Sequence, residues 1–201
     1  MKLTSIIVET RTGQKYKDVI HQHMKHLKGW DLCVCTLEEN FSYYKDCYLY
    51  AVPEIKGDAD YNRLLTDPNF WKQFLWYDKV LIFQHDSGIL KDNINDFLDY
   101  DYVGSPWAFQ PTGGNGGLSV RDPRIMMSIC NLLPYSPVYG NEDLYFCNYM
   151  HDHKYGRLAP REVCKKFAME VELEFDTFGY HAIDRYHDEK TVKKIKKQEQ
   201  L

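Results

Sequence analysis

Two acidic segments of the sequence contain the residue types that catalytic and metal-binding sites use. Asp86 and Ser87 follow a short apolar run at residues 80–83, and Glu142 and Asp143 stand just before an apolar helical pattern. Carboxylates can take a proton from a hydroxyl group or coordinate a divalent cation. Both segments also have a structural interpretation, because Asp and Ser are common in turns and acidic residues are favoured in the first turn of a helix.

The apolar run at residues 80–83 indicates where the first acidic segment lies in the fold. An uninterrupted apolar run between Lys79 and Gln84 suits a strand that is buried on both faces, as in the middle of a parallel or mixed sheet. In open α/β sheets, ligands bind outside the carboxyl ends of the strands. Asp86 and Ser87 are therefore expected at a ligand-binding edge, with an ordinary turn as the alternative.

The beginning of the chain predicts a strand, a helix and a second strand. Residues 3–8 are mainly apolar, apolar residues recur at helical spacing in 16–27, and residues 32–35 form a second short apolar run. This order is typical of a doubly wound α/β sheet. Thr10 and Arg11 fall at the carboxyl edge of the first strand, where Arg11 could meet a phosphate or simply be solvated.

The rest of the chain continues the alternation of strands and helices. A helical pattern at residues 61–76 is interrupted at Asp67-Pro68. The patterns predict further strands at residues 47–52, 102–104, 118–120 and 171–175, and further helices at 123–133, 142–151 and 161–167. A globular domain of residues 1–186 would then be followed by a charged tail or linker at 187–201.

A glycine-rich stretch and a late histidine are further candidates for a site. Gly116 and Gly117 end the glycine cluster at residues 113–117, where the backbone can approach a ligand closely or take a positive φ. The cluster lacks the lysine of a phosphate loop and the spacing of a dinucleotide fingerprint, so a glycine turn before a strand is the alternative. His181 lies in a Gly-Tyr-His segment, and a lone histidine is more often structural than a ligand unless other ligands converge on it.

Composition and charge argue against several classes of protein. The chain has 201 residues, of which 44% are hydrophobic and 27% charged, as is typical of a soluble globular protein with one core. A net charge of -4 argues against a protein that binds nucleic acid through its backbone phosphates. An anionic ligand would therefore need local cations or a metal.

The sequence lacks the patterns of a membrane span and of an export signal. A membrane helix needs about 20 consecutive apolar residues, and the N-terminus turns polar too early for a signal peptide. Six cysteines are scattered through apolar segments without the paired spacing of a zinc site. Reduced thiols and a cytoplasmic location are therefore expected.

The order of these motifs resembles that of the GT-A fold glycosyltransferases. The chain is most similar to a small group of viral and microbial transferases that includes the N-terminal domain of a chlorella-virus enzyme decorating the capsid with sugars. The resemblance extends over nearly all of the globular part and rests on several segments together rather than on one motif. The shared segments are residues 81–87, 101–107, 114–121, 141–143 and 178–181.

This resemblance implies a fold, an activity and a set of partners. The fold would be a single GT-A-like, Rossmann-like α/β domain with a central mixed, mostly parallel sheet flanked by helices. The activity would be inverting transfer of a sugar from a UDP-sugar to a glycan or glycoprotein acceptor. If the chain is viral, the reaction would belong to capsid glycan synthesis and take place in the host cytoplasm. As a linker, the charged C-terminal segment would connect this domain to further domains of a longer polypeptide.

The resemblance also assigns roles to the acidic residues and the late histidine. Mn²⁺ or Mg²⁺ would bind Asp86 and His181, although Gly88 stands in place of the second aspartate of the family's Asp-x-Asp motif. Asp143 would remove the proton from the acceptor hydroxyl while Glu142 orients the donor or the acceptor. Contacts to the nucleotide or donor sugar would come from Thr10, Arg11, Arg63, Asp86, Ser87, Trp107, Gly116 and Gly117.

Two other functions stay open at this point. A nucleotidyltransferase would share the strand and helix order, but the chain lacks a glycine-rich, lysine-containing loop after its first strand. A sugar-binding module or an inactive transferase relative would use the chain's 16 tyrosines and 4 tryptophans to stack on glycans. The incomplete Asp-x-Asp motif keeps this second alternative open.

Overall fold

The computed structural model describes residues 1–200 and shows an α/β fold. Its strands are β1 (Leu3–Val8), β2 (Asp31–Thr36), β3 (Tyr48–Ala51), β4 (Lys79–Phe83), β5 (Ser87–Ile89), β6 (Tyr102–Ser105), β7 (Asn115–Arg121), β8 (Ala168–Met169) and β9 (Gly179–His181). Its α-helices are α1 (Gln14–His26), α2 (Asp58–Leu65), α3 (Pro68–Lys72), α4 (Pro123–Leu132), α5 (Glu142–His153), α6 (Arg161–Phe167) and α7 (Glu189–Lys196).

Six strands form the central sheet, in the order β3-β2-β1-β4-β7-β6. β3, β2, β1 and β4 run parallel to one another, whereas β7 is antiparallel to both β4 and β6. Residues of α1 and α6 pack on one face of the sheet, and residues of α3, α4 and α5 pack on the other. The predicted central mixed, mostly parallel sheet flanked by helices is therefore confirmed.

Strand β4 lies in the middle of this sheet and is buried along its whole length. Leu81 and Phe83 belong to one hydrophobic cluster, and Val80 and Ile82 belong to the cluster on the opposite face. Successive side chains of a strand point to opposite faces, so only a continuous apolar run can fill both clusters. Each such burial stabilises the fold by about 1.5–3 kcal/mol.

A second, three-stranded sheet has the order β5-β9-β8. β5 begins just after the loop that follows β4, and it pairs antiparallel with β9 so that Ser87 lies opposite His181. The backbone N–H of Ala182 also donates to the carbonyl of Asp86, at 2.9 Å. This small sheet therefore brings a residue from the C-terminal third of the chain to the end of the central strand.

The sequence prediction of a strand at residues 171–175 is wrong. The chain there is irregular after the two-residue strand β8, and the apolar residues of the alternating pattern, Val171, Leu173 and Phe175, are exposed. Alternation predicts a strand only where a neighbouring strand and a core are available to pair with it and cover it. The predicted break at Asp67-Pro68 is confirmed, because the Asp67 side chain caps α3 by accepting a hydrogen bond from the backbone N–H of Asn69 at 2.8 Å.

The segment after residue 186 contains α7. Val192 and Ile195 on this helix are buried in a cluster with Met169, Tyr180 and Ile183. The division into a domain of residues 1–186 and a tail of 187–201 stays a prediction, and its last residue lies outside the described range. Among residues 1–200, none of the helices has the length and apolar character needed to cross a membrane.

Candidate active site

A polar cleft opens at the carboxyl edge of the central sheet, beside the ends of β1 and β4. Its volume is about 440 Å³, and it is bounded by the segments after β1, β3 and β4, the start of β7 and the N-terminal parts of α2 and α5. This is the edge at which open α/β sheets bind ligands. The residues predicted from the sequence that line it are Thr10, Arg11, Gly116, Gly117, Glu142, Asp143 and His181.

The first residues of β7 form the floor of the cleft, and two of them have to be glycine. A methyl group at Gly117 would overlap the imidazole of His181, and one at Gly116 would overlap the side chains of Arg121 and Glu142. Neither glycine has a positive φ. Glycine is therefore needed at both positions because the backbone passes close to other side chains of the site, and not because the chain turns there.

Asp143 lies at the N-terminus of α5, and its carboxylate is buried in the wall of the cleft. The carboxylate accepts hydrogen bonds from the backbone N–H of Gly116, at 3.1 Å, and from that of Leu144, at 2.7 Å. Burial, followed by the negative charge of Glu142, raises the pKa of Asp143 to about 7. A carboxylate with that pKa is suited to accept and release a proton near neutral pH.

Glu142 has a different environment from its neighbour in the sequence. Both of its carboxylate oxygens accept hydrogen bonds from the guanidinium of Arg121, which is fully buried. Arg121 Nε also donates to the hydroxyl of Ser119 at 2.9 Å, and its guanidinium lies 4.8 Å from the ring centre of Tyr102. Burial lowers the pKa of Arg121, but its interactions with Glu142 outweigh this effect, so the pKa of Arg121 is raised and the guanidinium stays charged. Glu142 is thus committed to an internal ion pair.

Asn62 of α2 fixes the N-terminus of α5. Its side-chain Oδ1 accepts a hydrogen bond from the backbone N–H of Glu142 at 3.0 Å, and its Nδ2 donates to Oδ1 of Asn141 at 3.1 Å. The first N–H groups of a helix have no partner within the helix, and Asn62 supplies one from another element. This contact places the two acidic residues of α5 in the cleft.

His181 lines the cleft and contacts Asp86, which is not part of the cleft lining. His181 Nε2 lies 3.3 Å from Asp86 Oδ1 and 3.1 Å from Gln84 Oε1, while its Nδ1 lies 3.1 Å from Glu170 Oε1. Burial lowers the pKa of His181, but the two carboxylates raise it to about 9. Burial likewise opposes ionisation of Asp86, yet its hydrogen bond and ion pair with His181 lower the pKa of Asp86 to about 2. Arg185 donates to the other Asp86 oxygen at 3.0 Å.

Asp86 and His181 are the candidate ligands for a divalent cation, and the raised pKa of His181 means that the cation would have to displace its proton. Asp86 Oδ1 is buried without a well-aligned hydrogen bond, and His181 presents Nε2 beside it. Within residues 1–200, no group of three or more His, Cys, Asp or Glu side chains has the arrangement of a metal site. Mg²⁺ and Mn²⁺ suit such a sparse set, since Mg²⁺ is usually bound by one or two carboxylates with water and substrate phosphates as its other ligands. Glu170 would orient the imidazole.

Thr10 and Arg11 lie at the end of β1, as the sequence predicts. The Thr10 hydroxyl accepts a hydrogen bond from the backbone N–H of Ile55 at 3.3 Å. The Arg11 guanidinium is bound by both carboxylate oxygens of the buried Glu9, each at 2.7 Å, and it lies 3.4 Å from Nδ1 of His85. Arg11 is therefore held in place while about half of its side chain faces solvent.

Three other residues predicted to contact the donor lie away from the cleft. Arg63 is on the solvent face of α2, with a side chain that is 80% exposed. Ser87 is buried, and its hydroxyl donates to the Gln84 carbonyl at 2.6 Å and lies 3.1 Å from Nε2 of His23. Trp107 follows β6 and stacks on Phe109, with ring centres 5.5 Å apart.

Several residues of the cleft and its supports were missed by sequence reasoning. Only Arg121 carries a sequence signal, because a charged residue that ends an apolar strand predicts a buried ion pair with an acid elsewhere. The others are ordinary polar residues that become important only through their positions. The missed residues are Glu9, Tyr61, Asn62, Gln84, Asn115, Arg121, Glu170 and Arg185.

The fold is that of known glycosyltransferases. A glycosyltransferase involved in glycosylation of the major capsid of PBCV-1 is similar over 100% of both chains, with a TM-score of 0.51 and 11% sequence identity. A mannosyltransferase from Pyrobaculum calidifontis, solved with GDP-Man and Mn²⁺, is similar over 81% of this chain, with a TM-score of 0.51 and 14% identity. The chain spans 55% of that mannosyltransferase. At such low identity, the likeness concerns the fold.

Sequence comparison assigns the chain to a family without a described activity. The model of the family described as "Protein of unknown function (DUF5672)" matches residues 48–181, and the chain belongs to this family. The matched region runs from β3 to His181 and so includes most of the cleft. No curated protein sequence matches the chain.

Proposed function

We propose that the protein is an inverting glycosyltransferase that moves a sugar from a UDP-sugar to a hydroxyl group of a glycan or glycoprotein. The observation that carries the proposal is the position of Asp143, a buried carboxylate with a pKa of about 7 in the wall of an open cleft. His181 lines the same cleft and forms a second polar centre with Asp86. The glycosyltransferase-like fold supports this function, since both similar structures carry that activity in their names.

In this proposal Asp143 acts as the general base. Its carboxylate accepts the proton of the acceptor hydroxyl as that oxygen attacks the anomeric carbon of the donor sugar. The new bond forms between the acceptor oxygen and the anomeric carbon, while the bond from that carbon to the diphosphate breaks and its electron pair leaves with the phosphate oxygen. The N–H groups of Gly116 and Leu144 hold the carboxylate in place throughout.

Glu142 supports the base without accepting the proton itself. Its ion pair with Arg121 anchors the first turn of α5 to β7, and its charge raises the pKa of Asp143. A base with a pKa near the working pH combines a sufficient ionised fraction with a useful affinity for the proton. The two acidic residues therefore have separate roles in this proposal, and the role of Glu142 differs from the orientation of donor or acceptor that the sequence predicted, because both of its oxygens are bound by Arg121.

The diphosphate of the donor would lie toward Asp86 and His181. When bound there, Mn²⁺ or Mg²⁺ would offset the negative charge that develops on the leaving diphosphate. Arg11 and Arg185 stand at the same side of the cleft, with side chains that are 55% and 64% exposed. Each guanidinium is paired with a carboxylate, that of Glu9 or that of Asp86, so a donor diphosphate would have to compete for it.

Calorimetric titration with UDP, with and without Mn²⁺, tests the first half of the proposal. We expect binding that is stronger with Mn²⁺, and slow release of UDP when the same sample is incubated with UDP-glucose, UDP-galactose or UDP-N-acetylglucosamine. GDP and GDP-mannose test which nucleotide base the protein binds. Tighter binding of these two ligands would change the proposed donor to a GDP-sugar and leave the proposed reaction standing. Absence of binding to either nucleotide would refute the proposal, and glycan binding without turnover would support a sugar-binding module.

A further inference from the structure

A stacked pair of aromatic rings lies at the surface, in the loop between β6 and β7. The ring centres of Trp107 and Phe109 are 5.5 Å apart, with an angle of 18° between the ring planes. Trp107 therefore supports one face of the Phe109 ring, yet Phe109 is 68% exposed. Large aromatic side chains are usually well covered, so an exposed ring that a second ring holds in place indicates a contact surface.

A second segment with an exposed apolar side chain lies against this loop. Arg161 Nε donates to the carbonyl of Trp107 at 3.2 Å, and Nη2 of the same guanidinium donates to the Glu172 carboxylate. A small pocket of about 190 Å³ lies between the two segments. It is lined by Pro106, Lys165, Ala168, Glu172, Leu173 and Glu174. The name aromatic surface is used below for Trp107, Phe109, Glu172, Leu173 and Glu174.

The aromatic surface borders the cleft on the side of β6. Ser105 at the end of β6 pairs with Asn115, which lines the cleft. Trp107 follows two residues later, at most about 7 Å further along the chain. The second segment begins at Glu170, whose carboxylate lies 3.1 Å from Nδ1 of His181 in the cleft. Both segments of the aromatic surface therefore start from residues at the cleft.

The loop that carries the two rings also runs along α5, the helix of the proposed base. Gln110 Nε2 donates to Oδ1 of Asn148 at 2.7 Å. Asn148 lies five residues after Asp143 on α5, about 7.5 Å along the helix axis. Thr10 and Arg11 are at the end of β1, which β4 and β7 separate from β6 in the sheet. The aromatic surface is therefore near the base, on a side of the cleft that those two predicted nucleotide contacts do not use.

The chemistry of the aromatic surface suits a carbohydrate better than a peptide. The C–H groups of a sugar ring form an apolar face that can cover an aromatic ring, and its hydroxyl groups can donate to the carboxylates of Glu172 and Glu174. A peptide that binds by strand addition needs a free strand edge. The outer edge of β6 is occupied, because the backbone N–H of Ala159 donates to the carbonyl of Tyr102 at 3.0 Å.

The size of the aromatic surface also argues against a stable protein partner. It has three apolar side chains, those of Trp107, Phe109 and Leu173. A stable protein interface has about 20–30 residues on each side. A ligand of the size of one or two sugar rings matches the surface and its small pocket.

We propose that the aromatic surface binds the acceptor glycan, with a sugar ring stacked on Phe109 and its hydroxyl groups bonded to Glu172 and Glu174. The sugar bound there is a neighbour of the sugar whose hydroxyl group reacts at Asp143. The inference rests on the function proposed above and adds to it the class of acceptor. That class is an oligosaccharide, rather than a single sugar or an unglycosylated peptide.

The test compares Phe109→Ala with the wild-type protein on an array that carries monosaccharides, oligosaccharides and unglycosylated peptides, in the presence of UDP and Mn²⁺. We expect the wild type to bind at least one oligosaccharide, and Phe109→Ala to lose about tenfold in affinity for it, as for the loss of one aromatic contact. Phe109→Tyr keeps an aromatic ring and should retain the wild-type affinity. Calorimetric titration with UDP should give the same affinity for all three proteins, because the nucleotide does not use this surface.

Trp76→Ala is the matched control. Trp76 is another exposed aromatic residue, with 80% of its surface accessible, but it precedes β4 and so lies at the end of the sheet away from the cleft. Its removal should change neither the oligosaccharide affinity nor the UDP affinity. An equal loss of oligosaccharide affinity in Trp76→Ala and Phe109→Ala would overturn the proposal, since binding would then not depend on the position of the ring.

The possible failures are distinguishable. Three results would overturn the acceptor surface and leave the transferase proposal standing: equal oligosaccharide affinity for Phe109→Ala and wild type, binding of peptides without glycans, and no binding of the wild type to the array. Failure of the wild type to bind UDP, GDP or any of their sugar derivatives would overturn the proposed function. Oligosaccharide binding that depends on Phe109 without any nucleotide binding would overturn the acceptor role as well, and would identify a sugar-binding module.

Discussion

Asp143 and Glu142 are adjacent in the sequence, and their surroundings give them different chemistry. The charge of Glu142 is neutralised by a buried guanidinium. The Asp143 carboxylate instead accepts hydrogen bonds from two backbone N–H groups and lies close to the negative charge of Glu142. A carboxylate is stabilised by cationic partners and destabilised by burial and like charge. The pair therefore divides into a fixed counter-ion and a titratable base.

Asp143→Asn should abolish turnover while nucleotide binding survives. The amide cannot accept the acceptor's proton, and loss of a general base lowers kcat by about 10²–10⁴-fold. Rates with the best UDP-sugar and calorimetric titration with UDP measure the two effects. Asp152→Asn is the control, because Asp152 is an exposed residue near the other end of the same helix. Turnover within threefold of wild type for Asp143→Asn would exclude Asp143 as the base.

The pKa of Asp143, about 7, predicts the pH dependence of both rate and stability. The rate should rise with pH through about 7, because the base has to be ionised. A raised carboxyl pKa contributes stability that is present below its ordinary value of 3.8 and is lost as pH rises through about 7. As the pH rises from 5 to 8, the free energy of unfolding of the wild type in urea should fall by on the order of 2 kcal/mol relative to that of Asp143→Asn. Parallel curves for the two proteins would contradict the raised pKa.

The strand β7 and the small sheet act together to shape the cleft. β7 brings bare backbone against His181, while the pairing of β5 with β9 places His181 beside Asp86. Neither arrangement tolerates a larger residue at the contact, since packed interiors leave no space for an added methyl group. Small changes in these elements are therefore expected to act on His181 and Asp86, the side chains proposed to bind the metal.

Gly117→Ala should displace the His181 ring and weaken the dependence of UDP binding on Mn²⁺. The backbone conformation at Gly117 is one that any residue can adopt, so the strand itself is not strained. The added methyl group overlaps the imidazole of His181, and this overpacking should lower the free energy of unfolding by about 1–3 kcal/mol. Calorimetric titration with UDP, with and without Mn²⁺, checks this expectation. If Gly117→Ala keeps the full metal dependence, His181 does not hold the cation.

The Arg121–Glu142 pair joins the central sheet to helix α5, so its effect is on the stability of the entire fold. The guanidinium is fully buried among aromatic rings and donates hydrogen bonds to the Glu142 carboxylate, the Ser119 hydroxyl and the Gly116 carbonyl. Removing one partner of a buried ion pair leaves an uncompensated charge in a medium of low polarity. The same pair that orients the site is therefore a vulnerable point of the core.

Arg121→Met should destabilise the protein by about 3–5 kcal/mol, and the double variant with Glu142→Met should recover much of this loss. Urea unfolding measures both effects. Arg63→Met is the matched control, since the Arg63 side chain is 80% exposed, and it should change the stability by less than about 0.5 kcal/mol. Unchanged UDP binding by Arg63→Met would also remove this residue from the predicted donor contacts. A loss below about 1 kcal/mol for Arg121→Met would show that the buried charge is compensated elsewhere.

The amino-acid sequence by itself determined the order along the chain of the six central strands and the position of β4, but not the three short strands of the small sheet, β5, β8 and β9. Continuous apolar runs, helical spacing and capping residues act locally, so β1, β4 and the break at Asp67-Pro68 follow directly from the pattern. The sequence also indicated Asp86, Asp143 and His181 as candidates. The alternation of apolar and polar residues at 171–175 led to a wrong prediction of a strand, because a local pattern does not show whether a neighbouring strand will be present to pair with it.

Only the tertiary structure decided which side chains share the cleft. Asn62 caps a helix 80 residues further along the chain. Arg63, one residue after Asn62, faces solvent because successive residues of a helix point in different directions. Sheet order, strand register and helix rotation set these distances, and all three depend on packing between segments that are far apart in the chain.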